Sequence, residues 1–122
     1  LWSSSRDAGT NLRPMPFPRS GMGKAAFARG HFYVMGGETL NGSGAINQVY
    51  KRVDVYNPTT HIWTVGQDLP TQRHGIFPTL LGNRIYVAGG GDRVGVSAST
   101  IFEIFDLGSL TNALAVPPSR DL

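Results

Sequence analysis

The 122-residue chain contains no cysteine. That absence excludes a disulfide framework, a thiolate zinc site and a cysteine nucleophile together. It leaves the compartment open, because a cysteine-free chain tolerates either redox environment. Charge is also scarce: Asp, Glu, Lys and Arg make up 16% of the residues, and only two are Glu. Little material remains for paired-carboxylate chemistry. No apolar run approaches the roughly 20 residues of a membrane-spanning helix, and no segment sustains a 3.6-residue apolar period. The chain opens on Leu1, with neither an initiator Met nor a charged-then-apolar leader, as expected where upstream residues are missing.

Glycine is abundant, at 16 residues, close to twice the usual share of about 7%. With eight prolines and no low-complexity tract, the excess reads as many turns. The balance of 11 basic to 8 acidic residues gives +3 and a pI near 9.7. Nine of the basic residues are Arg, spread from Arg6 to Arg120, and Lys51-Arg52 is the one basic dipeptide. Nucleic-acid binders cluster such charge on one face; a spread of this kind is a solvated surface, so neither nucleic acid nor membrane is an expected partner.

An internal repeat organises the chain. Gly30-His31-Phe32-Tyr33-Val34-Met35-Gly36-Gly37 returns as Asn83-Arg84-Ile85-Tyr86-Val87-Ala88-Gly89-Gly90, 53 residues later. Pro18-Arg19-Ser20-Gly21 answers Gln72-Arg73-His74-Gly75 at 54, and Val53-Asp54-Val55-Tyr56-Asn57 answers Phe102-Glu103-Ile104-Phe105-Asp106 at 49. Kept order with drifting offsets is the pattern of equivalent strands joined by unequal loops. Met22–Ala28 and Ile76–Leu81 fit buried inner strands, and Phe32–Met35 and Ile85–Ala88 are β-rich runs stopped by Gly-Gly. Val49–Tyr56 and Ile101–Asp106 alternate, which sets Val53, Val55, Phe102 and Ile104 inward and Arg52, Asp54 and Glu103 outward. Asn57-Pro58-Thr59-Thr60 is a turn, and Ile62–Val65 is a fourth strand. The reading is all-β.

Arg19, Phe32-Tyr33-Val34-Met35-Gly36-Gly37, Val53-Asp54-Val55-Tyr56-Asn57-Pro58 and Trp63, in that order, resemble a full kelch motif. Arg73, Ile85-Tyr86-Val87-Ala88-Gly89-Gly90 and Glu103-Ile104-Phe105-Asp106 resemble a second that fades at its end. The resemblance covers roughly residues 17 to 107 and implies one four-stranded antiparallel β-propeller blade per repeat, hence a partial propeller of about two blades. Residues 17–66 and 67–116 are the expected blades, the second with a degenerate end. Residues 1–16, which carry Trp2, are a linker or the tail of a preceding blade, and 117–122 are a C-terminal tail. The structural motif residues are Tyr33, Gly36, Gly37, Tyr56, Trp63, Tyr86, Gly89 and Gly90. The resemblance places Trp63 against Gly36-Gly37, where the missing Cβ atoms leave space. The matching position in the second repeat, seven residues after Phe105, is Asn112. A ring takes about four to eight blades, so the open ends need further blades in cis or copies of the chain in trans.

Gly21-Met22-Gly23-Lys24-Ala25-Ala26 fits a loose nucleotide-site pattern, but it leads into a strand where phosphate binding needs a helix. Ser5–Leu12 departs from the sialidase Asp-box pattern and reads as a turn. His31, His61 and His74 have no ligand spacing, and Asn41-Gly42-Ser43 is a formal glycosylation sequon in an expected loop. The copper enzymes among kelch propellers need a Tyr–Cys crosslink, which this chain cannot form. No catalytic, metal or cofactor residues are expected.

Binding is the better reading, since loops on a rigid scaffold carry it. Glu38–Gln48 and Gly91–Thr100 follow the two Gly pairs at equivalent places and emerge on one face. The resemblance adds the Arg-x positions Arg19, Ser20, Arg73 and His74. Candidate contacts are therefore Arg19, Ser20, Glu38, Arg73, His74, Asp92 and Arg93, receiving a protein or glycan ligand. For Arg19 and Arg73 a structural role, bonding backbone carbonyls between blades, is the stronger expectation, because both recur with the repeat. The expected function is a non-catalytic interaction module; the alternatives are an enzyme whose catalytic residues lie on other blades, and a blade pair that closes a ring from copies of itself.

Overall fold

The computed structural model describes residues 1–40 and 47–108, and among these there is no helix. Nine strands run in the order β1 (Ala26–Ala28), β2 (His31–Met35), β3 (Glu38–Thr39), β4 (Gln48–Val49), β5 (Val53–Asn57), β6 (Ile62–Val65), β7 (Thr79–Leu81), β8 (Arg84–Ala88) and β9 (Phe102–Asp106). They form an antiparallel four-stranded sheet β1-β2-β5-β6, a three-stranded sheet β7-β8-β9 and the small hairpin β3-β4. The third and fourth elements of the first sheet meet through a turn in which Asn57 Oδ1 accepts from the amides of Thr59 (2.8 Å) and Thr60 (3.3 Å). The fourth strand expected in the second repeat, with Asn112, lies outside the described residues.

Register shows the two large sheets to be the same construction. Tyr33 sits opposite Val55 in the first and Tyr86 opposite Ile104 in the second. Side chains of paired residues share a face, so Ala26, Tyr33, Val55 and the pair Met35–Val53 form one face of the first sheet. Leu80, Ile85 and Phe105, with Val87 and Glu103, form the opposite face of the second. These two faces meet. Their contact is the core, closed by Leu69 and Ile76 from the connecting segment, with Phe105 and Leu107 packed against it. Tyr33 and Phe105 approach across it with ring centroids 6.5 Å apart. This is the stacking of neighbouring blades in a partial propeller.

Among the described residues, each sheet therefore keeps one face that no other sheet covers. Phe27 and Phe32 are exposed on the first sheet, and Phe102 (59%) and Ile104 (46%) on the second. The expectation that Phe102 and Ile104 point inward fails for a definite reason. They occupy the face that Val53 and Val55 occupy one repeat earlier, but no sheet of the described residues lies over it. The expected inner strands are also shorter than their apolar runs, beginning at Ala26 and Thr79. Gly23 and Ile76 instead form an isolated parallel bridge between the repeats. The expected strand Val49–Tyr56 breaks at 50–52, because the carbonyls of Tyr50, Lys51 and Arg52 accept from Arg73, Leu69 and Gly36 instead of a neighbouring strand.

Trp63 does not fill the space at Gly36-Gly37. It is half-buried on the uncovered face of the first sheet, 4.9 Å from Tyr56, and its indole donates to the Arg13 carbonyl (3.1 Å). The glycine pair serves a backbone approach. Gly37 N donates to Arg73 O at 2.9 Å, both glycines have positive φ, and a Cβ on Gly36 would fall on that same Arg73 carbonyl. The pair thus lets the second repeat dock its backbone against the first.

Candidate functional site

Beneath the Gly pairs lies a repeated charged node. Arg19 donates to the carbonyls of Gly36 and Val34 and, at 2.7 Å, to Asp54, with both side chains of the ion pair fully buried. Arg73 donates to the carbonyls of Val87 (3.2 Å), Gly89 (3.0 Å) and Ile101 (3.2 Å) and to Glu103 at 2.6 Å. A guanidinium has donors enough to do both tasks at once. In each repeat the Arg closes the end of the β2-type strand and ties it to the acid of the β5-type strand. Thr71 adds a 2.6 Å bond to Glu103, and Arg52 adds paired bonds to Asp54. The hydrogen bond to Asp54 holds the Arg52 pKa above its ordinary value.

Arg19 and Arg73 are thus enclosed and their carbonyl bonds stay within their own repeat, where a bridge between blades was expected. Burial places neither guanidinium on a contact surface. Asp54 and Glu103 were expected to face outward. Asp54 is instead wholly buried, although no sheet of the described residues covers its face, because Arg19 and Arg52 lie against its carboxylate and satisfy it in place of water.

The remaining candidates gather at one end of the sheets. Ser20 bridges Glu38, with Ser20 N to Glu38 O at 2.9 Å, and His74 bridges Gly91 in the same way at 2.9 Å. Ser20 and His74 are equivalent in the repeats, as are Glu38 and Gly91. Glu38 then crosses between repeats: one carboxylate oxygen accepts from Gly95 N (2.9 Å) and the other faces His74 Nδ1 (3.4 Å). His74 Nε2 lies 2.8 Å from Arg93 O, and Ser97 Oγ donates to that carbonyl at 2.7 Å. Gln72 reaches Asp92 O at 3.1 Å. Glu38 is buried, His74 and Asp92 are half-buried, and Ser20 and Arg93 are exposed, Arg93 with 82% of its side chain open to solvent. The expected loop Glu38–Gln48 is in part the hairpin β3-β4; residues 41–46, including the whole glycosylation sequon Asn41-Gly42-Ser43, lie outside the described residues.

Ser97, His74 and Glu38 fall in the order of a nucleophile relay, an arrangement that sequence spacing gave no hint of. The bonding argues against that use. A 2.8 Å approach of Nε2 to a carbonyl oxygen requires a proton on Nε2, so the nitrogen facing Ser97 has no lone pair to accept from it. The same contacts make a structural clasp between the two loops. Among the described residues no group of three metal-ligating side chains forms.

The node explains which sequences can take this shape: an Arg before the first strand, a Gly pair after the second and an acid in the third. The family model for the kelch motif matches residues 19–70, which begin at Arg19 and span Gly36-Gly37, Asp54 and Trp63. Residues 19–70 thus carry a kelch motif. The chain is also 28% identical over 81 residues to an F-box/kelch-repeat protein of Arabidopsis thaliana, covering 66% of the chain. The matched stretch spans 20% of that protein's length. The kelch node recurs geometrically at Arg73, Gly89 and Glu103, beyond the stretch that the family model matches.

Proposed function

We propose that this kelch chain is a non-catalytic protein-interaction module whose loop-bearing end receives the partner. The carrying observation is the clasp Glu38–His74–Gly95, which joins the loops of both repeats into one surface on a stiff scaffold. Kelch repeats generally mediate protein interactions, and the Arabidopsis relative is named for its kelch repeats. Ser20, Asp92 and Arg93 are the contact residues of this surface, with Glu38 and His74 fixing its shape. Arg19 and Arg73 support it from below. Arg93 suits a carboxylate on the partner, through bidentate bonding. Residues 17–66 and 67–116 are the two blades.

A second reading, assembly with further blades, is favoured by the uncovered faces. Each is the repeat equivalent of a face that is buried in the core, so one more blade, in cis or from another copy, would bury Phe102 and Ile104 as Val53 and Val55 are buried. Light scattering distinguishes these: a discrete trimer or tetramer indicates copies in trans, and a monomer or polydisperse aggregate indicates that blades in cis are required.

The interaction reading is tested by selecting peptides from a random display library and titrating them against the chain and its Arg93→Glu variant. The expected result is acidic peptides whose affinity falls at least tenfold in the variant, with an unchanged urea midpoint. Peptides that bind both proteins equally, or no saturable binder, would overturn it.

A further inference from the structure

The two uncovered faces are built like the two halves of the interface that the chain already makes. On the first sheet, Phe27, Phe32, Val34 and Tyr56 share the uncovered face, where Phe27 is 52% exposed. Their repeat equivalents, Leu80, Ile85, Val87 and Phe105, form the covered face of the second sheet. On the second sheet, Tyr86, Ala88, Phe102 and Ile104 share the uncovered face. Their equivalents, Tyr33, Met35, Val53 and Val55, form the covered face of the first. The cross-strand pair Met35–Val53 becomes Ala88–Phe102, so a larger residue on one strand offsets a smaller one on the other. Each uncovered face thus has the build of the surface that its counterpart meets inside the chain.

The backbone carries the same message at the loop-bearing end. Gly37 N donates to Arg73 O at 2.9 Å, across the two repeats. The equivalent donor is Gly90 N and the equivalent acceptor is Arg19 O, and neither has a backbone partner among the described residues. Gly36 and Gly89 both have positive φ. A Cβ on Gly36 would fall on the Arg73 carbonyl, whereas one on Gly89 would meet, among the described residues, only the Ser99 carbonyl at 3.6 Å. The space that Arg73 O fills beside Gly36 is therefore open beside Gly89, and Arg19 O is the group that the repeat assigns to it.

We propose that copies of this chain stack head to tail, the second sheet of one on the first sheet of the next, with Gly90 N donating to Arg19 O across the junction. The proposal rests on the assembly reading above and commits it to a second copy, because the chain itself carries both halves of the interface. Two different patches meet, so the contact is heterologous and closes into a ring when the rotation permits. Ser20 and Gly91 stand where His74 and Glu38 stand in the clasp, so the junction between copies has no such tie. Association is accordingly weaker than stacking within the chain and falls on dilution.

The test follows the mass of the full chain by light scattering over a concentration series, alongside two variants. Phe102→Glu charges the uncovered face of the second sheet and Phe27→Glu that of the first. Both positions are exposed, so each variant should keep the parent's far-UV circular dichroism; Ile104→Lys replaces Phe102→Glu if that spectrum is lost. The parent is expected to reach a discrete trimer or tetramer as concentration rises, and each variant alone to stay monomeric. An equimolar mixture of the two variants should form a dimer and stop there, since each contributes one intact face. A parent that is monomeric throughout or polydisperse, a variant that associates like the parent, or a mixture that stays monomeric or grows past a dimer would overturn the proposal. The assembly reading itself falls on a different result, a blade appended to the chain that leaves its urea midpoint unchanged.

Discussion

Replacing Arg73 by Ala is the sharpest test of how the repeats are held. The side chain is fully buried, and its loss removes three bonds to carbonyls and the 2.6 Å contact to Glu103. Hydrogen bonds involving a charged group contribute about 1.5–3 kcal/mol each, but they share one guanidinium and do not add. Breaking a buried ion pair by removing one partner costs about 3–5 kcal/mol. Glu103 is partly exposed and keeps Thr71, which lowers its share, while the three carbonyls at the strand end raise theirs. A loss of about 3–4 kcal/mol follows. Small domains have only about 5–15 kcal/mol of stability, so the second sheet would be at the edge of unfolding. Equilibrium urea denaturation, followed by far-UV circular dichroism, measures it. With a slope of about 1–1.5 kcal/mol per molar for a chain this small, the midpoint should fall by roughly 2–4 M. Arg73→Lys should recover little, because an ammonium cannot span three carbonyls and an acid in one plane. A midpoint within 0.3 M of the parent, accompanied by loss of peptide binding, would refute the structural role and return Arg73 to the contact surface.

Gly36→Ala should destabilise by about 2 kcal/mol or more, since positive φ costs about 1–2 kcal/mol and the new methyl falls on the Arg73 carbonyl. Gly30→Ala, also at positive φ but with open space around its Cβ, should cost only about 1 kcal/mol; equal urea midpoints for the two variants would contradict the backbone-docking account. Trp63→Ala should cost about 1–2 kcal/mol, because a half-buried indole loses one aromatic contact and one hydrogen bond; a loss above about 4 kcal/mol in the same assay would mean that Trp63 is a core residue after all. Asp106 accepts from Gly108 N at 2.7 Å and from Arg84, which together hold its pKa below the ordinary carboxylate value. Its contribution is therefore fully present above the unfolded carboxylate pKa of about 3.9 and is lost as pH falls through the lower folded value. NMR titration should place its midpoint below that of Asp106 in the urea-unfolded chain, and a midpoint at or above the unfolded one would refute the assignment.

Much of this architecture is legible in the sequence because it is written twice. One Gly-Gly after a β-rich run is a weak turn signal. Two of them, each preceded by an Arg and followed by an acid in the same order, specify equivalent strands. What local pattern could not give was the destination of the polar residues. Alternation along Val53-Asp54-Val55 reads as one wet face and one dry face, and that inference assumes a sheet with solvent on one side. Here each repeat places its own Arg against that polar face, so Asp54 and Glu103 pair with Arg19 and Arg73 instead of with water. A signal for this was present: the Arg recurs at an offset of 54 and the acid at 49, so any partner shared by the two Arg residues had to recur as well. The reverse error, with Phe102 and Ile104 expected inside, has the same origin, since a single strand cannot report whether a neighbouring sheet exists to cover it.

The repeated node also separates what this chain holds by itself from what it needs. Arg19 with Asp54, and Arg73 with Glu103, are closed within single repeats, so each sheet carries its own polar anchor. The apolar faces are closed only between repeats. A face that is buried in the first sheet by Ile85 and Val87 is uncovered in the second at Tyr86, Phe102 and Ile104. Stability of such stacks is the sum of intrinsic terms and nearest-neighbour interfaces, and two sheets make one interface where a closed ring has one per blade. The polar node fixes the shape of each repeat, and neighbours supply the remaining burial. Adding a blade to either side should therefore raise the urea midpoint without altering the Arg–acid geometry. An added blade that left the midpoint unchanged while covering Phe102 and Ile104 would show that the nodes, and not the stacked faces, carry the stability.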